Sequence, residues 1–215
     1  MKKKALLFCA GEKTALPPLP PREETLLIAV DGGYEYCAES VGAPDLAVGD
    51  FDSLGYVPNG VEALVYPREK DDTDLGIAIR EALSRGCEEI LIFGATGGRL
   101  DHTVASLQSL LSLAKQNARA FLFGQGFTAT ATTGGLCFPA SYSGTVSVFA
   151  AGGDCAGVTL RGLRYSLEDA TLSPLTPLGV SNEFLGEEAK ISCQEGILLI
   201  LWQDNLDKPL PSCYT

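Results

Sequence analysis

The sequence contains few of the residues from which zinc sites, disulfide frameworks and nucleic-acid surfaces are built. Among its 215 residues, His102 is the only histidine, and the seven cysteines are scattered without any CxxC spacing. We therefore expect reduced, mostly buried thiols rather than a zinc site or a set of disulfides. Positive charge is also scarce, because 16 lysines and arginines face 27 aspartates and glutamates, for a formal net charge of -11. This balance argues against a protein that binds nucleic-acid phosphates through a basic surface.

Long hydrophobic runs are missing as well. Residues 1–4 resemble the start of a secretory signal, but the apolar stretch Ala5–Ala10 that follows is too short for one. No stretch approaches the roughly 20 apolar residues of a membrane-spanning helix. We therefore expect a cytoplasmic protein with no membrane partner. Its hydrophobic content of 46% and charged content of 20% are typical of a globular chain.

Up to Gly126, short apolar runs alternate with segments of helical periodicity. This pattern predicts an α/β domain with a doubly wound, mostly parallel sheet and helices on both faces. Apolar residues recur on one side of two predicted helices, at 72–85 and 101–117. The predicted strands are Ala5–Ala10, Leu26–Asp31, Leu46–Gly49, Ala63–Tyr66, Glu89–Gly94 and Ala118–Gly124.

After Gly126, short β-prone runs are separated by Thr, Gly and Ser, and no long amphipathic helix can be drawn. This pattern predicts a C-terminal all-β domain, without distinguishing a sandwich from a barrel. The predicted strands are Thr128–Thr133, Thr145–Phe149, Val158–Leu163, Ala189–Cys193 and Ile197–Gln203.

Acidic and glycine-rich clusters follow several predicted strands of the first domain. Ligands of an open parallel sheet bind beyond the carboxyl ends of its strands, so these clusters indicate the functional site. The four clusters are Asp31-Gly32-Gly33, Gly49-Asp50-Phe51-Asp52-Ser53, Lys70-Asp71-Asp72-Thr73-Asp74 and Gly94-Ala95-Thr96-Gly97-Gly98-Arg99-Leu100-Asp101-His102.

Asp50 and Asp52 stand on either side of Phe51, which we expect to be buried. In an extended backbone both carboxylates then point the same way. Two neighbouring carboxylates favour a divalent cation, and Mg²⁺ fits because it takes few carboxylates and keeps water and phosphate oxygens as ligands. Asp74, at the start of a predicted helix, is either a third ligand or a favourable charge at the helix N-terminus. A solvated acidic turn is the simple alternative, and glycosyltransferases and some phosphatases use a similar two-aspartate motif.

The glycine-rich cluster after the fifth predicted strand is typical of a phosphate site. Its glycines let backbone N–H groups approach phosphate, and a helix begins just after it. Arg99 adds a planar fork of donors that would neutralise charge on a transferred group. Asp101 either caps the helix or holds Arg99 and a metal-bound water in place, and His102 contacts a phosphate, transfers a proton or is structural. No Walker A motif is present, so an ordinary P-loop kinase is not expected.

Taken in order, these motifs resemble the motif series of the thiamine pyrophosphokinase family. In the second half, Gly162-Leu163-Arg164-Tyr165 and Gly179-Val180-Ser181-Asn182-Glu183 resemble the two thiamine-side motifs of that family. The likeness covers nearly the whole chain, and six motifs in one order are far more specific than any single motif. The resemblance implies transfer of the β,γ-pyrophosphoryl group of ATP to the primary hydroxyl of thiamine, which gives thiamine diphosphate and AMP.

The resemblance also implies a homodimer of two-domain subunits. Residues 1–126 would form the catalytic α/β domain that binds ATP and Mg²⁺. Residues 127–215 would form a β-sandwich domain for thiamine binding and dimerisation, with the thiamine pocket at the subunit interface. The alternatives are a non-catalytic nucleotide or thiamine sensor and a pyrophosphokinase for another heterocyclic alcohol, such as a pterin alcohol. The complete set of carboxylates argues against a sensor, because binding alone needs no metal cluster.

Each candidate residue receives a role from the resemblance. The expected metal ligands are Asp50, Asp52 and Asp74. The expected nucleotide-binding residues are Asp31, Gly32, Gly33, Thr73, Gly97, Gly98, Arg99 and His102. The expected catalytic residues are Asp74, Arg99 and Asp101, with Asp74 or Asp101 as any general base. Tyr165, Ser181 and Asn182 would face thiamine, where an aromatic ring attracts the cationic thiazolium by roughly 0.5–2 kcal/mol. No covalent enzyme intermediate is expected.

Overall fold

The computed structural model describes residues 3–67, 69, 71–203 and 205–214, so Lys70 of the third motif lies outside the described residues. The chain divides into two compact units. The first contains the described residues up to Ala15, then Leu19–Ser109 and Ala120–Gln125. The second contains Leu16–Pro18, Leu110–Arg119 and the described residues from Gly126 onward.

The strands of the first unit form the predicted α/β sheet, with ends shifted by no more than two residues from the prediction. β1 pairs in parallel with β2 and β5, β2 with β3, and β3 with β4. β2 and β3 are buried at every position, as expected for strands covered on both faces. The strands are β1 (Lys4–Phe8), β2 (Thr25–Val30), β3 (Leu46–Gly49), β4 (Glu62–Val65), β5 (Glu89–Phe93) and β6 (Arg119–Gly124), in the order β6-β5-β1-β2-β3-β4.

In the described part of the chain, three α-helices accompany these strands. α2 (Asp74–Ser84) and α3 (Leu100–Lys115) confirm the two predicted helices, whereas α1 (Gly33–Val41) was not predicted. α1 packs on β1 and β2, and α2 packs on β1, β2 and β3. In α1 only Gly33, Tyr36 and Cys37 are buried, so its nine residues lack the apolar stripe by which helices are usually recognised.

The second unit contains two antiparallel sheets. Their orders are β12-β9-β14-β7 and β11-β10-β13-β8-β15. The five predicted strands are present, and β8, β11, β12 and β15 are additional to them. The strands are β7 (Phe127–Thr132), β8 (Gly135–Phe138), β9 (Thr145–Ala150), β10 (Cys155–Arg161), β11 (Leu167–Leu172), β12 (Gly179–Glu183), β13 (Ala189–Ser192), β14 (Leu198–Gln203) and β15 (Ser212–Tyr214).

An aromatic cluster joins the two sheets of the second unit. The ring of Phe138 on β8 lies 5.3 Å from that of Trp202 on β14, in an edge-on arrangement. Tyr142 and Phe184 pack against Phe138 at 5.3 and 5.2 Å between ring centroids. Side chains from both sheets therefore share one core, which is the arrangement of a sandwich.

Most of the thiols are buried, as expected from the scattered positions of the cysteines. Five of the seven cysteines are buried, with Cys137 half-buried and Cys213 exposed. Among the described residues, no helix has the length and apolar character needed to cross a membrane.

Candidate active site

The loops after β1 and β5 meet at the carboxyl ends of two neighbouring strands. Gly11 N–H donates to the Gly94 carbonyl at 2.7 Å, and Glu12 N–H donates to the Thr96 carbonyl at 2.9 Å. A Cβ on Gly11 would lie 2.4 Å from the Thr96 carbonyl oxygen, so only glycine allows this approach. The strand order reverses at β1, which has β5 on one side and β2 on the other, and open parallel sheets bind ligands at such a point.

A cavity of about 390 Å³ lies at this point, within the size range of small-ligand sites. Its lining includes most of the predicted nucleotide-binding residues. It also includes the segment after β1, which was not predicted to belong to the site. The lining residues are Cys9, Ala10, Gly11, Val30, Asp31, Thr73, Asp74, Leu75, Gly94, Ala95, Thr96, Gly97, Gly98, Arg99, His102, Ala105 and Ser106.

Three carboxylates gather beside the ends of β2 and β3. Asp31, Asp50 and Asp52 each offer an oxygen within 4.8 Å of the others. The parallel register, with Val30 beside Val48, makes the residues after the two strands leave the sheet side by side. Gly49 lets the ends of β2 and β3 approach each other closely, because a Cβ there would lie 3.0 Å from the Asp31 Cα. Asp74, which was expected to be a ligand, is not in this group of three and lines the cavity instead.

The predicted extended backbone at Asp50–Asp52 is wrong, although Phe51 is buried as expected. The backbone is not extended there, because Phe51 has φ of 58° and Asp52 N–H donates to Asp50 Oδ1 at 3.1 Å. A left-handed backbone on a bulky residue costs of order 1–3 kcal/mol and is typical of functional sites. Among the described residues, five non-glycine residues have positive φ, and Asp31, Phe51 and Ser181 of the predicted motifs are three of them.

Asp31 is held in place by a hydrogen bond to only one of its oxygens. Ser53 Oγ donates to Asp31 Oδ2 at 2.6 Å. Asp31 Oδ1 is buried and has no hydrogen-bond partner among the described residues. A buried carboxylate oxygen normally has a donor or a cation beside it, so this atom is suited to a metal ion.

The start of α2 brings Asp74 into the cavity wall. Thr73 is the N-cap, and its hydroxyl accepts from the Gly76 N–H at 3.0 Å. Asp72 supports the cap, because its Oδ1 accepts from the Thr73 N–H at 2.7 Å and its Oδ2 pairs with Arg80. Asp72 therefore positions the first turn of the helix from behind.

Close packing explains why glycine stands at positions 32 and 33, directly after Asp31. Neither glycine belongs to the described lining of the cavity. A Cβ on Gly33 would lie 1.9 Å from the Phe8 carbonyl oxygen, and one on Gly32 would lie 2.8 Å from Ser53 Oγ. Their predicted contact with the nucleotide stays a prediction.

Arg99 and Asp101 form a paired unit at the start of α3. Arg99 Nε donates to Asp101 Oδ1 at 3.1 Å, and Nη2 donates to Oδ2 at 2.5 Å. The His102 N–H also donates to Asp101 Oδ1, at 3.1 Å, so Asp101 both orients Arg99 and accepts from the helix backbone. The hydrogen bonds from Arg99 lower the pKa of Asp101 below its usual value, which makes this carboxylate a poor proton acceptor.

Cys9 is the thiol that lines the cavity. Burial raises the pKa of Cys9 to about 12, and the negative charge of Asp74 adds to the rise. The thiol is therefore neutral at pH 7 and is not an activated nucleophile.

In the second unit, Asn182 holds the backbone of Tyr165. Its Oδ1 accepts from the N–H groups of Tyr165 and Glu183, each at 2.9 Å, and its Nδ2 donates to the Tyr165 carbonyl at 2.7 Å. Asn182 is buried with 2% exposure, whereas the Tyr165 side chain is 62% exposed. Ser181 is also exposed, and its N–H donates to Ser147 Oγ at 3.1 Å. Asn182 thus fixes the backbone from which the exposed Tyr165 side chain projects. Contact of Tyr165, Ser181 and Asn182 with thiamine stays a prediction.

Two family models match the chain in the order of its two halves. Residues 21–122 match the model described as thiamin pyrophosphokinase, catalytic domain. Residues 138–198 match the model described as thiamin pyrophosphokinase, vitamin B1 binding domain. The thiamine pyrophosphokinase of Bacillus subtilis (strain 168) is 31% identical over 205 residues, which cover 91% of this chain and 96% of that protein.

Solved structures of similar proteins have the same fold. A crystal structure of thiamine pyrophosphokinase from Bacillus subtilis superposes with a TM-score of 0.83 at 27% identity, covering 94% of this chain and 100% of that one. A crystal structure of thiamin pyrophosphokinase from Geobacillus thermodenitrificans gives 0.79 at 28% identity, covering 94% and 98%. The yeast enzyme, at 17% identity and a TM-score of 0.71, shares the fold over 94% of this chain and 87% of its own.

Proposed function

This chain belongs to the thiamine pyrophosphokinase family, and from that premise we propose how its own residues carry out the reaction. The chain is an ATP-dependent transferase that makes thiamine diphosphate and AMP. ATP occupies the cavity at the ends of β1 and β5, and its polyphosphate extends towards the three carboxylates. One observation supports this arrangement most directly. The carboxylates of Asp31, Asp50 and Asp52 gather beside a cavity whose lining includes the glycine-rich loop of Gly97 and Gly98, which is suited to binding phosphate.

The donor set fits Mg²⁺. Asp31, Asp50 and Asp52 would hold the ion, since all three offer oxygen ligands and the buried Oδ1 of Asp31 lacks a protein donor. When bound, the ion would neutralise phosphate charge and help to orient the polyphosphate. Asp74 lines the cavity outside this group of three and would serve as the proton acceptor instead of a metal ligand.

Charge neutralisation and alignment are the main contributions of the protein to this kind of transfer. The thiamine hydroxyl oxygen forms a bond to the β-phosphorus of ATP, while the bond from that phosphorus to the α,β-bridging oxygen breaks and AMP leaves with the electron pair. Arg99 donates to the transferred group, and the backbone at Gly97 and Gly98 binds phosphate oxygens. The hydroxyl proton passes to a carboxylate, for which Asp74 is the better candidate because Arg99 weakens Asp101 as a base.

The thiamine side of the reaction is assigned to the second unit. Tyr165 would lie against the cationic thiazolium ring, and Ser181 would hydrogen-bond the pyrimidine. A homodimer would complete this pocket, and exposed apolar side chains near β12 support such an interface. Leu175 is 90% exposed, Leu178 60% and Val180 41%. The cytoplasmic location inferred from the sequence stays a prediction.

A panel of alcohols tests the proposed reaction. Purified protein with ATP and Mg²⁺ is expected to form AMP and thiamine diphosphate in equal amounts when thiamine is supplied, and little AMP without an acceptor. Faster AMP formation with a pterin alcohol would assign a different acceptor. Binding of ATP with no AMP formed from any alcohol would identify a sensor.

Replacing Asn182 by alanine is expected to raise KM for thiamine about tenfold while KM for ATP stays nearly constant. The cause is the loss of the three hydrogen bonds that position Tyr165 and Glu183. Steady-state kinetics with each substrate varied in turn measures the effect.

Asn205 provides the matched control for this substitution. Its amide also holds backbone in the second unit, donating to Ser143 O at 3.1 Å and Gln203 O at 2.7 Å. Asn205→Ala should lower the melting temperature without changing KM for thiamine. Equal changes in KM for both variants would show that Asn182 acts only through stability.

A further inference from the structure

One wall of the cavity is a segment of chain that has no regular secondary structure. Cys9, Ala10 and Gly11 line the cavity directly after β1. On one side, this segment is joined to the loop after β5 by the hydrogen bonds of Gly11 to Gly94 and of Glu12 to Thr96. The conformation of this part of the cavity wall therefore also depends on the contacts that hold the other end of the segment, at Thr14.

Tyr36 on α1 fixes that end. The Thr14 N–H donates to the Tyr36 hydroxyl at 3.0 Å, and the hydroxyl donates in turn to the Thr14 carbonyl at 2.7 Å. The Tyr36 ring is buried and meets Phe8 of β1 edge-on at 5.2 Å between centroids. Lys13 Nζ lies 5.7 Å from the centre of the same ring and pairs with Glu39 of α1 at 2.5 Å. Segment 9–14 is thus attached at one end to the loop after β5 and at the other to α1.

We infer that Tyr36 is a positioning residue for the nucleotide, acting through the segment Cys9–Thr14. This inference rests on the proposed function, in which the cavity binds ATP. Tyr36 is not one of the residues that line the cavity in the described part of the chain, so it acts without touching the nucleotide. Its hydroxyl is hydrogen-bonded to both the N–H and the carbonyl of Thr14, which fixes the end of the segment that lies away from the loop after β5.

Tyr36→Phe tests the inference, because it removes the hydroxyl and keeps the buried ring. The binding of a non-hydrolysable ATP analogue is measured by calorimetry, and kcat and KM are measured for both substrates. We expect Kd for the analogue and KM for ATP to rise about fivefold to tenfold, with kcat and KM for thiamine changed less than about twofold. Unchanged analogue binding in Tyr36→Phe would overturn the inference.

Tyr142 supplies a matched control in the second unit. Its hydroxyl donates to the Pro209 carbonyl at 3.0 Å, and its side chain is 2% exposed. Tyr142→Phe should lower the melting temperature about as much as Tyr36→Phe, by a few degrees, and leave analogue binding unchanged. Equal weakening of binding by both variants would also overturn the inference, because the effect would then be general destabilisation.

A measurement on the unaltered protein makes the test independent of variant folding. Hydrogen exchange of the amides in segment 9–14 should slow when the ATP analogue binds. No slowing, in protein that binds the analogue, would contradict a role of this segment in nucleotide binding. Failure of the unaltered protein to bind the analogue at all would instead refute the proposed function.

Discussion

Asp52→Ala is expected to reduce the rate of AMP formation by about 10³-fold or more, because it removes one of the three carboxylates that would hold Mg²⁺ at the polyphosphate. The fold should persist, since Asp52 is exposed and lies in a turn. Its removal also relieves repulsion among Asp31, Asp50 and Asp52, so the melting temperature should stay the same or rise. Kinetics, thermal unfolding and the Mg²⁺ concentration needed for half-maximal rate measure these effects together.

Glu88→Ala controls for the change in net charge. Glu88 is exposed and directly precedes β5, so it lies at the amino ends of the parallel strands, whereas the carboxylate group lies beyond their carboxyl ends. This variant should keep both the rate and the Mg²⁺ requirement of the unaltered protein. Near-normal AMP formation by Asp52→Ala would refute the metal-binding role of the three carboxylates.

The α/β half of the fold could be predicted from sequence because its strands are continuous apolar runs. Leu46–Gly49 was predicted with the bounds that the structure has, and every other strand of the first unit was located. Elements without a strong apolar pattern were missed. β11 (Leu167–Leu172) and β12 (Gly179–Glu183) carry charged or polar residues at several exposed positions, so pairing with neighbouring strands defines them.

Most residues of the site could also be predicted from the sequence. Which of these residues lie next to one another in space could not. Local patterns place Asp31, Asp50 and Asp74 at strand or helix ends without giving strand order. The parallel pairing of β2 with β3 brings Asp31 to Asp50, and the pairing of β1 with β5 brings Gly11 into the cavity wall. An apolar strand followed by glycine was the available signal for Gly11, and it gains meaning only once β1 is known to lie where the strand order reverses.

Arg99→Ala is expected to lower kcat by about 10²- to 10³-fold, the usual loss when one preorganised donor to a developing charge is removed. Arg99 is poised for this task by its two hydrogen bonds to Asp101, and its side chain is 72% exposed. An exposed ion pair adds little to stability, so the melting temperature should barely change. Arg99→Lys should recover only part of the rate, because an ammonium group cannot reproduce the planar fork.

Arg161 offers the same geometry away from the proposed chemistry. Its Nε and Nη2 donate to the two carboxylate oxygens of Glu168 at 3.2 and 2.5 Å, and its side chain is 63% exposed. Arg161→Ala therefore removes an equivalent charge and an equivalent ion pair, and it should leave kcat unchanged. If Arg99→Ala also kept kcat within about threefold, Arg99 would not stabilise the transferred group, and its pairing with Asp101 would be only a surface ion pair.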